Sequence, residues 1–172
     1  DSIMNTSRLL LAIAAFLIGF SSMAQDVVYV DASAFPVYGK ISEETNGRYE
    51  RLPARLEGVS RKAVWTRGRH SSGLYIRFRS NSTSIHVKWE SLFNNHYNHM
   101  TDICTKGLDL YALVDGEWRF VAPGRPSADG VSTFTIAKNM TPVDREFMLY
   151  LSMYDGVKSI EIGVDKGAYI EQ

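Results

Sequence analysis

The densest group of chemically able side chains is Ser91-Leu92-Phe93-Asn94-Asn95-His96-Tyr97-Asn98-His99-Met100, with Asp102 just beyond. His96, His99 and Asp102 supply two imidazoles and a carboxylate, ligands that a divalent metal accepts. Their three-residue spacing suits a turn or a helix face. A solvated loop whose histidines hydrogen-bond to backbone explains the same residues, and that reading is favoured here. The stretch also fits a sugar. Tyr97, His99 and nearby Trp89 offer flat faces, while Asn94, Asn95 and Asn98 offer paired donors and acceptors for hydroxyls. For Trp89 a core position competes and is preferred, because it alternates with Ile85 and Val87.

Other catalytic patterns are missing. No G-x-G-x-x-G or P-loop run cradles a phosphate, and no G-x-S-x-G elbow presents a nucleophile. There is no Gly-Asp-Ser run, and none of the four histidines follows an Asp by two residues. A Ser–His–Asp triad is built in space rather than in sequence, but no motif here supports one. The chain is therefore not expected to be an enzyme, and nothing in it asks for a cofactor. The single cysteine, Cys104, cannot form an internal disulfide or a thiolate metal cage. It is expected to be buried and inert.

These residues need a scaffold, and the pattern around them is that of strands. In the span 73–90, Leu74, Ile76 and Phe78 alternate with Tyr75, Arg77 and Arg79; Ile85, Val87 and Trp89 then alternate with His86, Lys88 and Glu90. Period-two alternation on both sides of Asn81-Ser82-Thr83 predicts a hairpin with one apolar and one basic-polar face. Two further hairpins are expected at Asp-Gly dipeptides, which tolerate the positive φ of a type I′ turn. One joins 108–114 to Trp118 and Phe120 through Asp115-Gly116. The other joins 147–154 to 157–164 through Asp155-Gly156. A further strand is read at 131–136, and weaker ones at 27–30, 37–41 and 59–66. No stretch sustains helical spacing for three turns. Short strands and regular turns predict an all-β fold, an antiparallel β-sandwich of jelly-roll type. The polar loop 91–102 then hangs between two strands, where binding residues concentrate.

Composition narrows the partners. The chain has 172 residues with 19 basic and 19 acidic side chains, so it carries no formal net charge. The basic group Arg77, Arg79 and Lys88, with Arg67, Arg69 and His70, therefore reads as a solvated face and not as a nucleic-acid stripe. Residues 9–20 form an uncharged apolar run after Arg8, followed by the small residues Ser22 and Ala24 around Met23. That is the layout of a secretory signal peptide cleaved after residue 24; a membrane-spanning helix would need about 20 apolar residues. The expected protein is secreted or periplasmic, with no membrane attachment after cleavage. Its sandwich spans 25–166, and 167–172 begins a linker. A chain of about 150 residues buries about 68–70% of its unfolded surface, enough for a core without staples.

Gly107-Leu108-Asp109-Leu110-Tyr111 fits a G-x-D-L-Y signature. It resembles the motif that names the N-terminal domain of SGNH-hydrolase-type (GDSL-like) esterases. Val30-Asp31-Ala32, Asn81-Ser82-Thr83, Asp115-Gly116-Glu117-Trp118 and the run Lys158-Ser159-Ile160-Glu161-Ile162-Gly163-Val164 extend the resemblance over nearly all of 26–172. The resemblance implies a jelly-roll sandwich without catalytic residues of its own, followed by an SGNH catalytic domain as its partner in the same polypeptide. It also implies an exported acyl-ester hydrolase that acts on a substrate such as an acylated sugar. A free-standing carbohydrate-binding module is the alternative. Within the signature, Leu108 and Leu110 share one strand face and Asp109 and Tyr111 the other. Gly107, Leu108, Asp109, Leu110 and Tyr111 are therefore expected to be mainly structural. Asp109 would accept backbone N–H bonds from a neighbouring loop, and Tyr111 would tie down another through its hydroxyl. Contact with substrate or catalytic domain falls to Asn94, Asn95, His96, Tyr97, Asn98 and His99.

Overall fold

The computed structural model describes residues 26–172, and the expected signal peptide lies outside them. The strands are β1 (Val27–Asp31), β2 (Val37–Tyr38), β3 (Tyr75–Ser80), β4 (Ile85–Ser91), β5 (Leu108–Val114), β6 (Glu117–Gly124), β7 (Val131–Ala137), β8 (Arg145–Tyr150), β9 (Val157–Asp165) and β10 (Ile170–Glu171). Two short helices interrupt them, α1 (Lys62–Gly68) and α2 (Asp102–Lys106). One sheet runs β1-β9-β4-β7. The other runs β10-β3-β8-β5-β6, with β2 also pairing to β3. All pairs are antiparallel. The fold is the antiparallel β-sandwich that the alternation predicts. No helix among the described residues is long and apolar enough to cross a membrane.

Alternation explains the core. Ile76 and Phe78 of β3, Leu108 and Leu110 of β5, and Phe147 and Leu149 of β8 turn inward and are buried. They meet Ile85, Val87 and Trp89 of β4 and Ile160, Ile162 and Val164 of β9. Each such side chain contributes roughly 1.5–3 kcal/mol by burial. A one-residue slip would turn a whole row outward, so burial holds the register. Trp89 is only 2% exposed, as its alternation requires, and its indole N–H donates to the carbonyl of Lys106 at 3.1 Å.

Several expectations need correction. The strands on either side of Asn81-Ser82-Thr83 do not form a hairpin: β3 pairs with β8 and β4 with β9 and β7, so the chain crosses between sheets. The carboxylate of Asp165 holds this crossing, accepting the Thr83 N–H at 2.7 Å and the Ser84 N–H at 3.2 Å. β8 and β9 likewise lie in different sheets, so Asp155-Gly156 is a second crossing. Of the three expected hairpins only β5–β6 pairs as one; Asp115 and Gly116 have φ of 54° and 79°, as a type I′ turn demands. A strand buried on one face alternates identically in a hairpin and in an arch between sheets, so pattern alone does not separate them. The expected strand at 59–66 is instead mostly α1, because it lies on neither sheet edge; Val59 and Val64 are exposed. The folded sheet also runs past residue 166. Ile170 and Glu171 pair with Ser80 and Arg79 of β3, and Ile170 packs on the core.

The basic group is divided between sheets and matched by acids. Arg77 and Arg79 pair with Glu146 and Asp144 on the β3 side, while Lys88 on β4 faces Glu161 at 3.8 Å.

Candidate functional site

The signature strand β5 lies inside the larger sheet, between β8 and β6. Leu108 and Leu110 point into the core, and Asp109 and Tyr111 point out. Their outward neighbours form an aromatic row across the sheet. Tyr38 and Tyr75 stack at 5.3 Å, Tyr75 meets Tyr150 at 5.1 Å, Tyr150 meets Tyr111 at 5.7 Å, and Tyr111 meets Phe120 at 5.5 Å. The Arg77 guanidinium lies 5.4 Å over Trp118 and 6.0 Å over Tyr38. Beside Asp109 and Tyr111 the face opens into a cleft of about 620 Å³, walled by Trp118, Tyr150, Met148 and Met153 and floored by Gly107. A cavity of that size with apolar walls and few polar groups is typical of small-molecule sites.

Gly107 is required by a close approach, not by an unusual φ. A Cβ there would sit 2.3 Å from the carbonyl oxygen of Ile103 and 3.0 Å from that of Gly124. Any side chain would force α2 and β5 apart at this point. Leu108 and Leu110 are buried in the core. The anchoring roles expected for Asp109 and Tyr111 are corrected. Among the described residues no N–H donates to the Asp109 carboxylate, and the Tyr111 hydroxyl donates to no acceptor. Burial instead pushes the Asp109 carboxyl pKa up, because the half-buried charge lacks compensating donors. Both side chains line open space. Cys104 is also corrected: it is exposed and stands on the rim of the same cleft, because α2 turns it outward while Thr105 and Lys106 turn in.

The loop between β4 and α2 is more self-contained than expected. Asn94, at φ 53°, donates through Nδ2 to the carbonyl of Ala128 at 3.1 Å and accepts from the Lys106 ammonium. Asn95 donates its N–H to Asp155 Oδ2 at 2.6 Å and its amide to the Tyr154 carbonyl at 3.0 Å. His96 Nδ1 lies 3.0 Å from Asp102 Oδ1, and its Nε2 lies 3.3 Å from the Lys106 ammonium. Lys106 also faces Asp102 Oδ2 at 3.4 Å. His96 and Asp102 thus meet, with a buried ammonium beside both. His99 does not join them; it contacts Asn98 at 3.0 Å and the Tyr97 ring at 5.7 Å. Among the described residues no group of three His, Cys, Asp or Glu converges. Tyr97, His99 and Met100 do line a smaller hollow of about 260 Å³ with Arg51 and His70, and Met153 borders both it and the larger cleft. Burial pushes the His70 imidazole pKa down.

The residues that sequence reasoning missed are those that hold or wall the site. Asp155 is fully buried and accepts N–H bonds from Phe93 at 3.0 Å, Asn95 at 2.6 Å and Gly156 at 2.7 Å. Lys106 is a fully buried cation, and its only sequence signal is its place just before the signature. Tyr150 and Met148 carried none beyond alternation, and Trp118 only its place in the run Asp115-Gly116-Glu117-Trp118. One serine, histidine and aspartate do meet, on the opposite sheet. There the Ser84 hydroxyl donates to Asp165, and His86 Nε2 lies 2.8 Å from the Ser84 Oγ. The carboxylate contacts the serine and not the imidazole, whose Nδ1 lies 3.0 Å from Thr135 Oγ1, so this is not the aspartate–histidine–serine order of a nucleophilic triad.

The profile of the GxDLY family, described as the N-terminus of SGNH-hydrolase-type esterases, matches residues 27–170. A Bacteroides ovatus protein described as a GDSL-like lipase superposes at a TM-score of 0.80 with 33% identity, over 86% of this chain and 43% of that one. A salicylyl-acyltransferase from a tetracycline biosynthetic pathway shares the fold at a TM-score of 0.56 and 20% identity, over 88% of this chain and 42% of that one. No curated protein matches. This chain spans less than half the length of either solved structure. With the signature on β5, the sandwich around it and the match over 27–170, the chain belongs to the GxDLY family, the N-terminal domain of SGNH-type esterases.

Proposed function

We propose that this domain is the non-catalytic accessory part of an exported SGNH-type acyl-ester hydrolase, packing on the catalytic domain and supplying one wall of its substrate cleft. One observation carries the reading. The outward residues of the family signature open into a cleft on an aromatic sheet face instead of disappearing into the core. Phe120, at the end of that row, is 55% exposed, an aromatic side chain that a partner domain could cover. The apolar run at 9–20 supports export. A free-standing carbohydrate-binding module is the second reading, favoured by the same aromatic row.

The test compares three samples for hydrolysis of p-nitrophenyl acetate: this chain, the catalytic domain, and the two joined. The chain alone should not exceed buffer, and the joined protein should be active and unfold in one calorimetric transition. Phe120→Arg in the joined protein should split that transition and lower kcat/KM. Hydrolysis by the chain alone, or a joined protein whose domains unfold independently before any substitution, would overturn the reading.

A further inference from the structure

The cleft above the signature combines features that select a ligand. Asp109 has no donor among the described residues, and neither Tyr111 nor Tyr150 has a hydrogen-bond partner for its hydroxyl there. No Lys or Arg is among the lining residues, and the one charged side chain that lines the cleft, Asp109, would repel an anionic ligand. An acyl chain would suit the apolar wall but would leave that carboxylate dry and unpaired, the costliest way to bury it. A cationic ligand against Trp118 would be repelled by the Arg77 guanidinium, which lies 5.4 Å from that ring; a neutral one would not. A neutral pyranose satisfies every wall at once. Its C–H face lies on an aromatic ring, and its hydroxyls supply the donors that a carboxylate accepts. We propose that the cleft is a neutral-saccharide site in which a pair of sugar hydroxyls donate to Asp109 while the ring packs against Trp118 and Tyr150. The site differs from the polar loop that the sequence singled out. It rests on the reading of the domain as a wall of the substrate cleft.

The test is a titration of this chain, followed by amide and indole NMR shifts, with cellobiose, xylobiose, mannobiose and N,N′-diacetylchitobiose, and with choline as the cationic probe. At least one sugar should move the Trp118 indole and the amides of residues 107–111 at millimolar concentration. Asp109→Asn keeps the shape of the side chain, and it should weaken binding by about tenfold or more, the loss of a charge-assisted hydrogen bond. Alkylating Cys104 on the rim with a bulky maleimide should block binding. Four results would overturn the proposal: no shift with any sugar in a sample with a dispersed spectrum, shifts with choline alone, shifts centred on Tyr97 and His99, or unchanged affinity in Asp109→Asn. The hydrolase test fails separately, because a joined protein damaged by Phe120→Arg keeps the accessory reading even if no sugar binds here.

Discussion

Asp115-Gly116 and Asp155-Gly156 are the same dipeptide in the same sequence context, each between two alternating apolar runs, yet they do opposite work. Asp115 and Gly116 are exposed, adopt positive φ and join β5 to β6 within one sheet. A Cβ on Gly116 would meet nothing within 4 Å. Asp155 and Gly156 are buried, neither has positive φ, and they carry the chain from one sheet to the other. A Cβ on Gly156 would sit 2.8 Å from the Arg69 carbonyl oxygen and 2.8 Å from Leu92. At the first turn glycine is chosen for conformation, and at the second for space. The aspartates differ in the same way. Asp115 tolerates a left-handed backbone, whereas Asp155 gathers the N–H groups that begin the candidate loop.

Substitutions can sharpen this contrast. The largest effect is expected from Asp155→Ala, which strips the acceptor from the Phe93, Asn95 and Gly156 N–H groups. At roughly 1–3 kcal/mol for a buried donor left unpaired, a loss of about 3–5 kcal/mol is expected. Chemical denaturation should read it, and the amides of residues 93–97 should lose their dispersed shifts. Next, alanine at the two glycines separates space from conformation. Gly156→Ala should cost about 1–3 kcal/mol through overpacking against backbone, and Gly116→Ala about 1 kcal/mol through strain alone. Equal costs would erase the distinction between the turns. The smallest effect belongs to Asp115→Asn, expected within about 0.5 kcal/mol of the parent because asparagine serves a type I′ turn equally well. A large loss there would mean that the exposed turn bears tertiary contacts after all.

The same contrast explains what could be read in advance. Ile76, Phe78, Val87, Trp89, Leu108 and Leu110 declare themselves by alternation, since a half-buried strand must alternate wherever it pairs. Their partners do not follow, because pairing is chosen by which apolar rows close over each other across the whole sandwich. Site residues divide likewise. Asn94, Asn95 and His96 are polar and clustered, so they attracted a binding role; the fold spends much of that polarity on Lys106, Asp102 and Asp155. Asp109 and Tyr111 looked architectural because their strand is regular, yet their outward side chains open onto the larger cleft.

Residue types and order therefore settle the all-β class, the inward rows and the signature on β5, because each follows from local periodicity and local backbone demands. Tertiary structure alone decides that two apparent hairpins are crossings, that Cys104 faces solvent, and that Tyr38, Tyr75, Tyr150, Tyr111 and Phe120 form one continuous face. These depend on contacts between residues far apart in the chain, where burying one row against another sets the free energy and no short window of sequence records the choice.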